Sequence, residues 1–151
     1  MIGLLPSAPE PTNVPPSPRS GMEPGPSAAR GGHPILVVED DPSILGMVVQ
    51  ILRTEGYPVM SARNGVEGLA AIGPVSPSLI LLDMRMSQMD GWEFAKTVRS
   101  RGVRSPIVVM TAADNAKRWA EEIGADGFLA KPFEFLDLLT AVERHRLGVP
   151  N

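Results

Sequence analysis

The sequence predicts an α/β fold in which a parallel sheet is covered by helices on both faces. Predicted strands alternate with amphipathic segments of helical spacing five times along the chain, and three of the strands contain short apolar runs rich in Val, Ile and Leu, at 35–38, 79–82 and 107–110. These runs lack the apolar–polar alternation of a half-exposed strand, so they are typical of strands that are buried on both faces. Together the two observations favour a doubly wound parallel sheet.

The first strand and helix are predicted within residues 35–56. The run ILVV at 35–38 predicts a buried strand. Asp41 followed by Pro42 predicts a helix start, because an acidic N-cap precedes a proline at the first helical position. Gly56 predicts the end of this helix.

The second unit begins with a strand predicted at 57–62. Pro58 removes one backbone donor from this strand, which places the strand at an edge of the sheet. Asn64 and Glu67 have the spacing of a capping box and predict a short helix through Ile72.

The last three units repeat the pattern. Their strands are predicted at 78–82, 106–110 and 127–130. Asp90 with Glu93 predicts the start of the third helix, Gly124 ends the fourth, and the apolar positions of 135–142 belong to the fifth. Among doubly wound orders, the flavodoxin-like order 2-1-3-4-5 leaves the second strand at an edge, as Pro58 requires.

The average composition hides two regions. The chain has 151 residues, 43% of them hydrophobic, and a formal net charge of −3, but nine of its 16 prolines lie within residues 1–34. We therefore predict a disordered Pro/Gly/Ser-rich tail at 1–34 and a folded domain at 35–147. The chain has no cysteine, which excludes a disulfide scaffold and a thiol nucleophile.

Charge and hydropathy narrow the classes of partner and location. The mildly acidic balance does not support direct nucleic-acid binding, which usually requires a basic excess. The apolar runs are too short to insert into a membrane, so we expect a cytoplasmic protein.

Polar residues follow four of the five predicted strands at the same end. Glu39 and Asp40 follow the first strand, Asp83 the third, Thr111 the fourth and Lys131 the fifth. The carboxyl ends of parallel strands meet at one edge of a sheet, beside the crevice in which ligands bind. Three carboxylates repel one another and favour a hard cation such as Mg²⁺, while a lysine and a hydroxyl suit a phosphoryl group. Each residue alone has an ordinary explanation, as a solvated strand end, a helix cap or a surface lysine, but their joint placement is improbable by chance.

Four stretches resemble the receiver domain of bacterial two-component response regulators. They are ILVVEDDPSIL, LILLDMRMSQMDGWEF, PIVVMTA and GADGFLAKPFEFLDLL, in this order, and they span about three quarters of the chain. The resemblance implies the flavodoxin-like (βα)5 fold. It also implies a phosphoacceptor signalling domain, not an enzyme: its only catalysis is its own phosphorylation and dephosphorylation.

The resemblance assigns roles to individual residues. Asp83 matches the phosphoacceptor, and Glu39 and Asp40 match the acidic pair that holds Mg²⁺, Asp40 directly and Glu39 through water. The remaining matches are the backbone carbonyl of Arg85 as a metal ligand, Thr111 and Lys131 as phosphoryl contacts, Thr111 with Phe128 as the switch pair, and Lys131–Pro132 as a cis peptide bond.

The resemblance also implies partners. A sensor histidine kinase or a histidine phosphotransfer protein would phosphorylate Asp83. A downstream protein would then recognise the face formed by the fourth helix, fifth strand and fifth helix. Because only residues 147–151 follow the last predicted helix, we expect a stand-alone response regulator, either a monomer or a weak phosphorylation-linked dimer.

Three features depart from the usual family pattern. Ser87 replaces a common proline, which predicts a looser loop, and the spacing from Thr111 to Lys131 is about two residues short. Arg85 is a long cation two positions after the acceptor, which is expected either to pair with Glu39 or to crowd the hydrolytic water. This predicts an altered lifetime of the acyl phosphate.

Two alternative functions remain possible at this point, and so do two roles for Trp119. The alternatives are a Mg²⁺-dependent phosphohydrolase or nucleotide-binding module of flavodoxin-like topology, and an interaction module that works without phosphorylation. Trp92 and Trp119 lie on separate predicted helices and are expected to be packing residues, with partner binding as the alternative for Trp119.

Overall fold

The computed structural model describes residues 32–74 and 76–146, in which five strands and five helices alternate. The strands are β1 (Ile35–Val38), β2 (Val59–Ala62), β3 (Leu79–Asp83), β4 (Ile107–Ala112) and β5 (Gly127–Lys131). The helices are α1 (Pro42–Thr54), α2 (Gly65–Ala71), α3 (Gly91–Ser100), α4 (Ala113–Ile123) and α5 (Phe135–His145). The predicted disordered tail lies outside the described residues, apart from residues 32–34.

The strands form one parallel sheet in the order β2-β1-β3-β4-β5. The predicted flavodoxin-like fold and strand order are therefore confirmed. Pro58 directly precedes the edge strand β2, and its carbonyl oxygen accepts a hydrogen bond from the Ile35 N–H at 2.9 Å. Because β2 has a neighbour on one side only, the missing proline N–H interrupts no ladder inside the sheet.

Successive residues of the strands pack into two hydrophobic clusters. On one face, Leu36 and Ile80 pack with Phe94 of α3, in a cluster that also includes residues of α2 and α4. On the other, Ile35 and Leu79 pack with residues of α1 and α5. Each fully buried aliphatic side chain contributes about 1.5–3 kcal/mol to folding, so both faces stabilise the sheet. In the part of the chain that the structure describes, no helix combines the length and the apolar character needed to cross a membrane.

The connection after β4 explains the short spacing between Thr111 and Lys131. The strand was predicted to end at Met110, but it continues to Ala112, and α4 begins at the next residue. No loop residue separates the two elements. The N-cap of α4 is Ala112, without a side-chain hydrogen bond, so Thr111 does not cap this helix.

The β3–α3 loop is held tightly against the start of α2. Gln88 and Met89 adopt positive φ angles of 51° and 75°, which are uncommon for residues other than glycine. A Cβ at Gly65 would lie 2.7 Å from the Met89 carbonyl oxygen, so the absence of a side chain there allows the close approach. This contact holds the loop that follows Asp83.

Candidate functional site

Three carboxylates converge at the carboxyl end of the central strands. Glu39 and Asp40 directly follow β1, and Asp83 ends the neighbouring strand β3. One carboxylate oxygen of each residue lies within 4.8 Å of the other two. Glu39 and Asp83 are buried and Asp40 is exposed. A set of three carboxylate oxygens is a suitable donor set for a hard divalent cation such as Mg²⁺.

Backbone groups hold two of these carboxylates in place. The Asp41 N–H donates to Glu39 Oε2 at 3.1 Å, and the Arg85 N–H donates a longer bond to Asp83 Oδ1 at 3.4 Å. Asp41 has a different task, since its side chain accepts the Ser43 N–H at 2.8 Å and caps α1. The neighbouring aspartate is thus a helix cap, and the acidic group consists of Glu39, Asp40 and Asp83.

Lys131 provides the cation that faces this group. Its Nζ lies 2.8 Å from Glu39 Oε1 and 3.5 Å from Asp83 Oδ1, so one ammonium group contacts two carboxylates. Lys131 is the last residue of β5, and the Lys131–Pro132 peptide bond is cis. One lysine against three carboxylates leaves the site with an excess of negative charge.

Burial, together with the negative charge of Glu39, raises the pKa of Asp83 to about 7 from an ordinary value of 3.8. Burial is the largest cause, followed by the negative charge of Glu39 and a hydrogen bond with it. Lys131 and the Arg85 backbone N–H act in the opposite direction and offset only part of the rise. A divalent cation between the carboxylates would favour the ionised form of Asp83.

The two residues of the predicted switch pair have contrasting exposure. Thr111 is 4% exposed and follows Met110, the register partner of Asp83, so it lies at the same end of the sheet. Phe128 on β5 is 47% exposed. The polar member is therefore buried near the acidic group, and the aromatic member is at the surface.

Arg85 does not form the ion pair with Glu39 that was one expectation. The Arg85 guanidinium lies 5.7 Å from the centre of the Trp119 ring on α4, and Lys131 pairs with Glu39 instead. Trp119 is only 7% exposed, so the alternative that it serves as a partner-binding surface residue is not supported. Its ring contacts the Trp92 ring edge to face, with centroids 4.9 Å apart and an interplanar angle of 67°.

Through its contacts with Arg85 and Trp92, Trp119 on α4 joins the loop after β3 and helix α3. The spacing of these residues in the sequence does not predict that they meet. Arg85 also borders a surface cleft of about 390 Å³ beside the acidic group. The cleft is lined by Asp40, Arg85, Met86, Ser87, Asp90 and Trp92.

Comparison with known proteins identifies the domain. The sequence profile of the response regulator receiver domain matches residues 35–143. The transcriptional regulatory protein PcoR of Escherichia coli is 36% identical over 110 residues, which cover 72% of this chain and 49% of PcoR. The chain thus spans about half the length of the curated relatives it matches.

Solved structures show the same similarity. The chemotaxis protein CheY4 of Vibrio cholerae matches with a TM-score of 0.68 and 34% identity, over 75% of this chain and 98% of CheY4. The response regulator TrrA of Thermotoga maritima, solved in complex with Mg²⁺ and BeF, matches with a TM-score of 0.66 and 29% identity, over 75% of this chain and 98% of TrrA. The acidic group, the fold and these similarities agree, and the chain belongs to the response regulator receiver domain family, a signalling domain of two-component systems.

Proposed function

We propose that the domain accepts a phosphoryl group on Asp83 while Mg²⁺ is bound beside it. The observation that carries this proposal is the convergence of Glu39, Asp40 and Asp83 within 4.8 Å, with the Lys131 ammonium 3.5 Å from Asp83. The bound Mg²⁺ would neutralise the negative charge that accumulates when a phosphoryl group approaches a carboxylate. The complex of the similar protein TrrA with Mg²⁺ and BeF supports this reading.

The contacts of the acidic residues suggest how they share the metal. Both oxygens of Glu39 are already engaged, Oε1 by Lys131 and Oε2 by the Asp41 N–H, which favours contact through water. Asp40 is exposed and would bind the metal directly, together with Asp83. The backbone carbonyl of Arg85 is the proposed further ligand.

Asp83 is the nucleophile in the proposed reaction. One of its carboxylate oxygens attacks the phosphorus of a phosphohistidine in line, so that a P–O bond forms as the P–N bond breaks and the imidazole leaves. Lys131 Nζ and the Thr111 hydroxyl stabilise the phosphoryl oxygens. Water later attacks the phosphorus of the acyl phosphate, the P–O bond to Asp83 breaks, and inorganic phosphate leaves as the Asp83 carboxylate is regenerated. Asp83 is itself modified, which is why the domain acts as a phosphoacceptor and not as an enzyme.

The phosphodonor would be a sensor histidine kinase or a histidine phosphotransfer protein, which is consistent with a cytoplasmic location. Phosphorylation would draw Thr111 towards the phosphoryl group and allow Phe128, now 47% exposed, to turn inward. This movement would change the surface of α4, β5 and α5, which a downstream protein would recognise.

Intact mass measurement tests the proposal. The wild-type protein incubated with Mg²⁺ and acetyl phosphate is expected to gain the mass of one phosphoryl group, and EDTA should abolish the gain. Asp83→Asn should remove it, while Asp114→Asn, at an exposed aspartate in the first turn of α4, should retain it. An undiminished adduct on Asp83→Asn would contradict the proposal. So would the absence of a wild-type adduct with both acetyl phosphate and phosphoramidate, which resembles phosphohistidine in its P–N bond.

A further inference from the structure

We propose that Trp119 is a positioning residue that holds the Arg85 side chain against α4 and away from the acidic group. In this position Arg85 leaves the approach to Asp83 open for the metal and the phosphoryl group. The inference deepens the proposed function and rests on it for the importance of that approach. The contact itself is tested below in metal-free protein.

Five side chains form what we call the arginine–tryptophan cluster: Arg85, Trp92, Arg118, Trp119 and Glu122. Two guanidinium groups lie near the Trp119 ring, that of Arg85 at 5.7 Å and that of Arg118 at 5.9 Å from its centre. The Trp92 indole N–H donates to Glu122 Oε1 at 2.9 Å, and the Trp92 ring meets Trp119 edge to face. The cluster therefore connects the loop after β3 with α3 and α4.

The neighbours of Trp119 determine how its ring is presented to Arg85. The hydrogen bond to Glu122 fixes the orientation of Trp92, and the edge-to-face contact with Trp92 restricts the Trp119 ring in turn. Trp119 is 7% exposed, so its ring lies in a largely dehydrated environment. Because Arg85 itself is exposed, its contact with this ring has the modest strength of a cation–π contact at the protein surface.

The cleft beside the acidic group offers the Arg85 guanidinium an alternative to its contact with Trp119. Arg85 lies two residues after Asp83 and lines the same cleft as Asp40, whose exposed carboxylate is an alternative partner. Asp90 also lines this cleft, but its side chain caps α3 by accepting the Glu93 N–H. The acidic group keeps an excess of negative charge after Lys131 is counted. A guanidinium released from Trp119 would be attracted to these carboxylates and would compete with a divalent cation for them.

This arrangement places an α4 residue in control of a side chain beside the acceptor. Any movement of α4 that displaces Trp119 changes the position of Arg85. Because coupling between two sites is reciprocal, occupation of the acidic group would equally alter the packing of Trp119 on α4.

Magnesium titration of a double-mutant cycle tests the inference without phosphorylation. The affinity of the wild type, Trp119→Leu, Arg85→Met and the double variant for Mg²⁺ is measured by calorimetry. Trp119→Leu is expected to weaken Mg²⁺ binding about two- to five-fold, the range of a single cation–π contact. The same substitution in the Arg85→Met background should have no effect, because no cation remains to be released.

Two controls keep the test independent of folding. Arg118→Met removes the other guanidinium from the Trp119 ring and should leave Mg²⁺ affinity unchanged, since Arg118 does not line the cleft. Trp119→Phe retains an aromatic face, should give an intermediate affinity, and replaces Trp119→Leu if that variant does not fold. In metal-free wild type, the NMR signal of the Arg85 Nε–H should show an upfield ring-current shift that Trp119→Leu abolishes.

Equal Mg²⁺ affinity of the wild type and Trp119→Leu, an equal loss in both Arg85 backgrounds, or the absence of the ring-current shift would each overturn the inference. Failure of the proposed function is distinguishable, because an unphosphorylated Asp83 would leave the titration cycle and the NMR shift intact. If the wild type forms the phosphoryl adduct but the double-mutant cycle shows no coupling between Trp119 and Arg85, only the role of Trp119 is rejected.

Discussion

The polar groups that precede β4 at the amino end of the sheet are satisfied in a different way from those at its carboxyl end. At the amino end, the Ser105 hydroxyl donates to the Pro77 carbonyl oxygen at 2.6 Å, and the Ile107 N–H donates to the Asp126 carboxylate at 2.9 Å. Arg99 donates to the carbonyl oxygens of Val103 and Ser105. Each of these polar groups thus has a complementary partner, as stable proteins require of groups they bury.

At the carboxyl end, complementarity is incomplete. Lys131 contacts Glu39 and Asp83, yet the pKa of Asp83 is still raised to about 7 by burial and by the Glu39 charge. Like charges held close together destabilise a fold unless another ligand neutralises them. The polar groups that precede β4 therefore serve stability, while the carboxyl end keeps charges whose proposed partners arrive from solution.

We expect the largest change in stability from Lys131→Met, at the carboxyl end of the sheet. Methionine retains most of the apolar stem of the lysine. The substitution would leave the buried Glu39 carboxylate without its ion-pair partner and should lower the free energy of unfolding by about 3 kcal/mol in EDTA. Urea denaturation followed by circular dichroism measures this loss. Lys96→Met, at an exposed position of α3, is the matched control and should change stability by less than about 0.5 kcal/mol. Equal effects of the two substitutions would show that the ion pair does not support the fold.

Asp83→Asn should raise the free energy of unfolding, whereas Lys131→Met lowers it. The pKa of Asp83 is about 7 in the folded protein and 3.8 ordinarily, so the folded state binds more protons between these values. The Asp83 carboxyl therefore makes its full contribution to the free energy of unfolding of the wild type below about pH 4. This contribution is lost as the pH rises through about 7. Asp83→Asn avoids the loss and should be more stable than wild type by about 2 kcal/mol at high pH, after allowance for solvent screening.

Urea denaturation in EDTA over a pH series tests this expectation. The advantage of Asp83→Asn should vanish towards about pH 4, and Mg²⁺ at high pH should reduce it by stabilising the wild type. Asp114→Asn is the control and should show no such pH-dependent gain. An advantage of Asp83→Asn that is constant with pH would contradict the assignment of the effect to Asp83 ionisation.

The smallest effect is expected at the amino end. Ser105→Ala removes the buried hydroxyl that donates to the Pro77 carbonyl oxygen and should cost about 1 kcal/mol. The loss of stability in Ser105→Ala should be the same in EDTA and in Mg²⁺, unlike the effects of Lys131→Met and Asp83→Asn. Ser61→Ala, at an exposed position of β2, provides the baseline in the same urea experiments. A Mg²⁺-dependent loss in Ser105→Ala would show that the two ends of the sheet are not independent.

Local signals in the sequence were sufficient to predict the fold. Pro58 predicted the edge position of the second strand, which is confirmed. The predicted burial on both faces is confirmed for β1, β3 and β4, whereas the edge strands β2 and β5 are only partly buried. The exact ends of the strands were less predictable, as β4 shows by continuing to Ala112. Thr111 remains in the ladder opposite Ala130, and a pairing partner 19 residues away is not visible in a local pattern.

The amino-acid sequence was enough to predict which residues meet at the carboxyl end of the sheet, because hydrophobic patterning indicates parallel strands and Pro58 indicates that β2 is an edge strand. Which charges pair there depends on the tertiary packing. Lys131 reaches Glu39 and Asp83, whereas Arg85 turns to Trp119 on α4. Long side chains choose among several partners within reach, and that choice depends on distances and burial set by the packing of helices far apart in the chain.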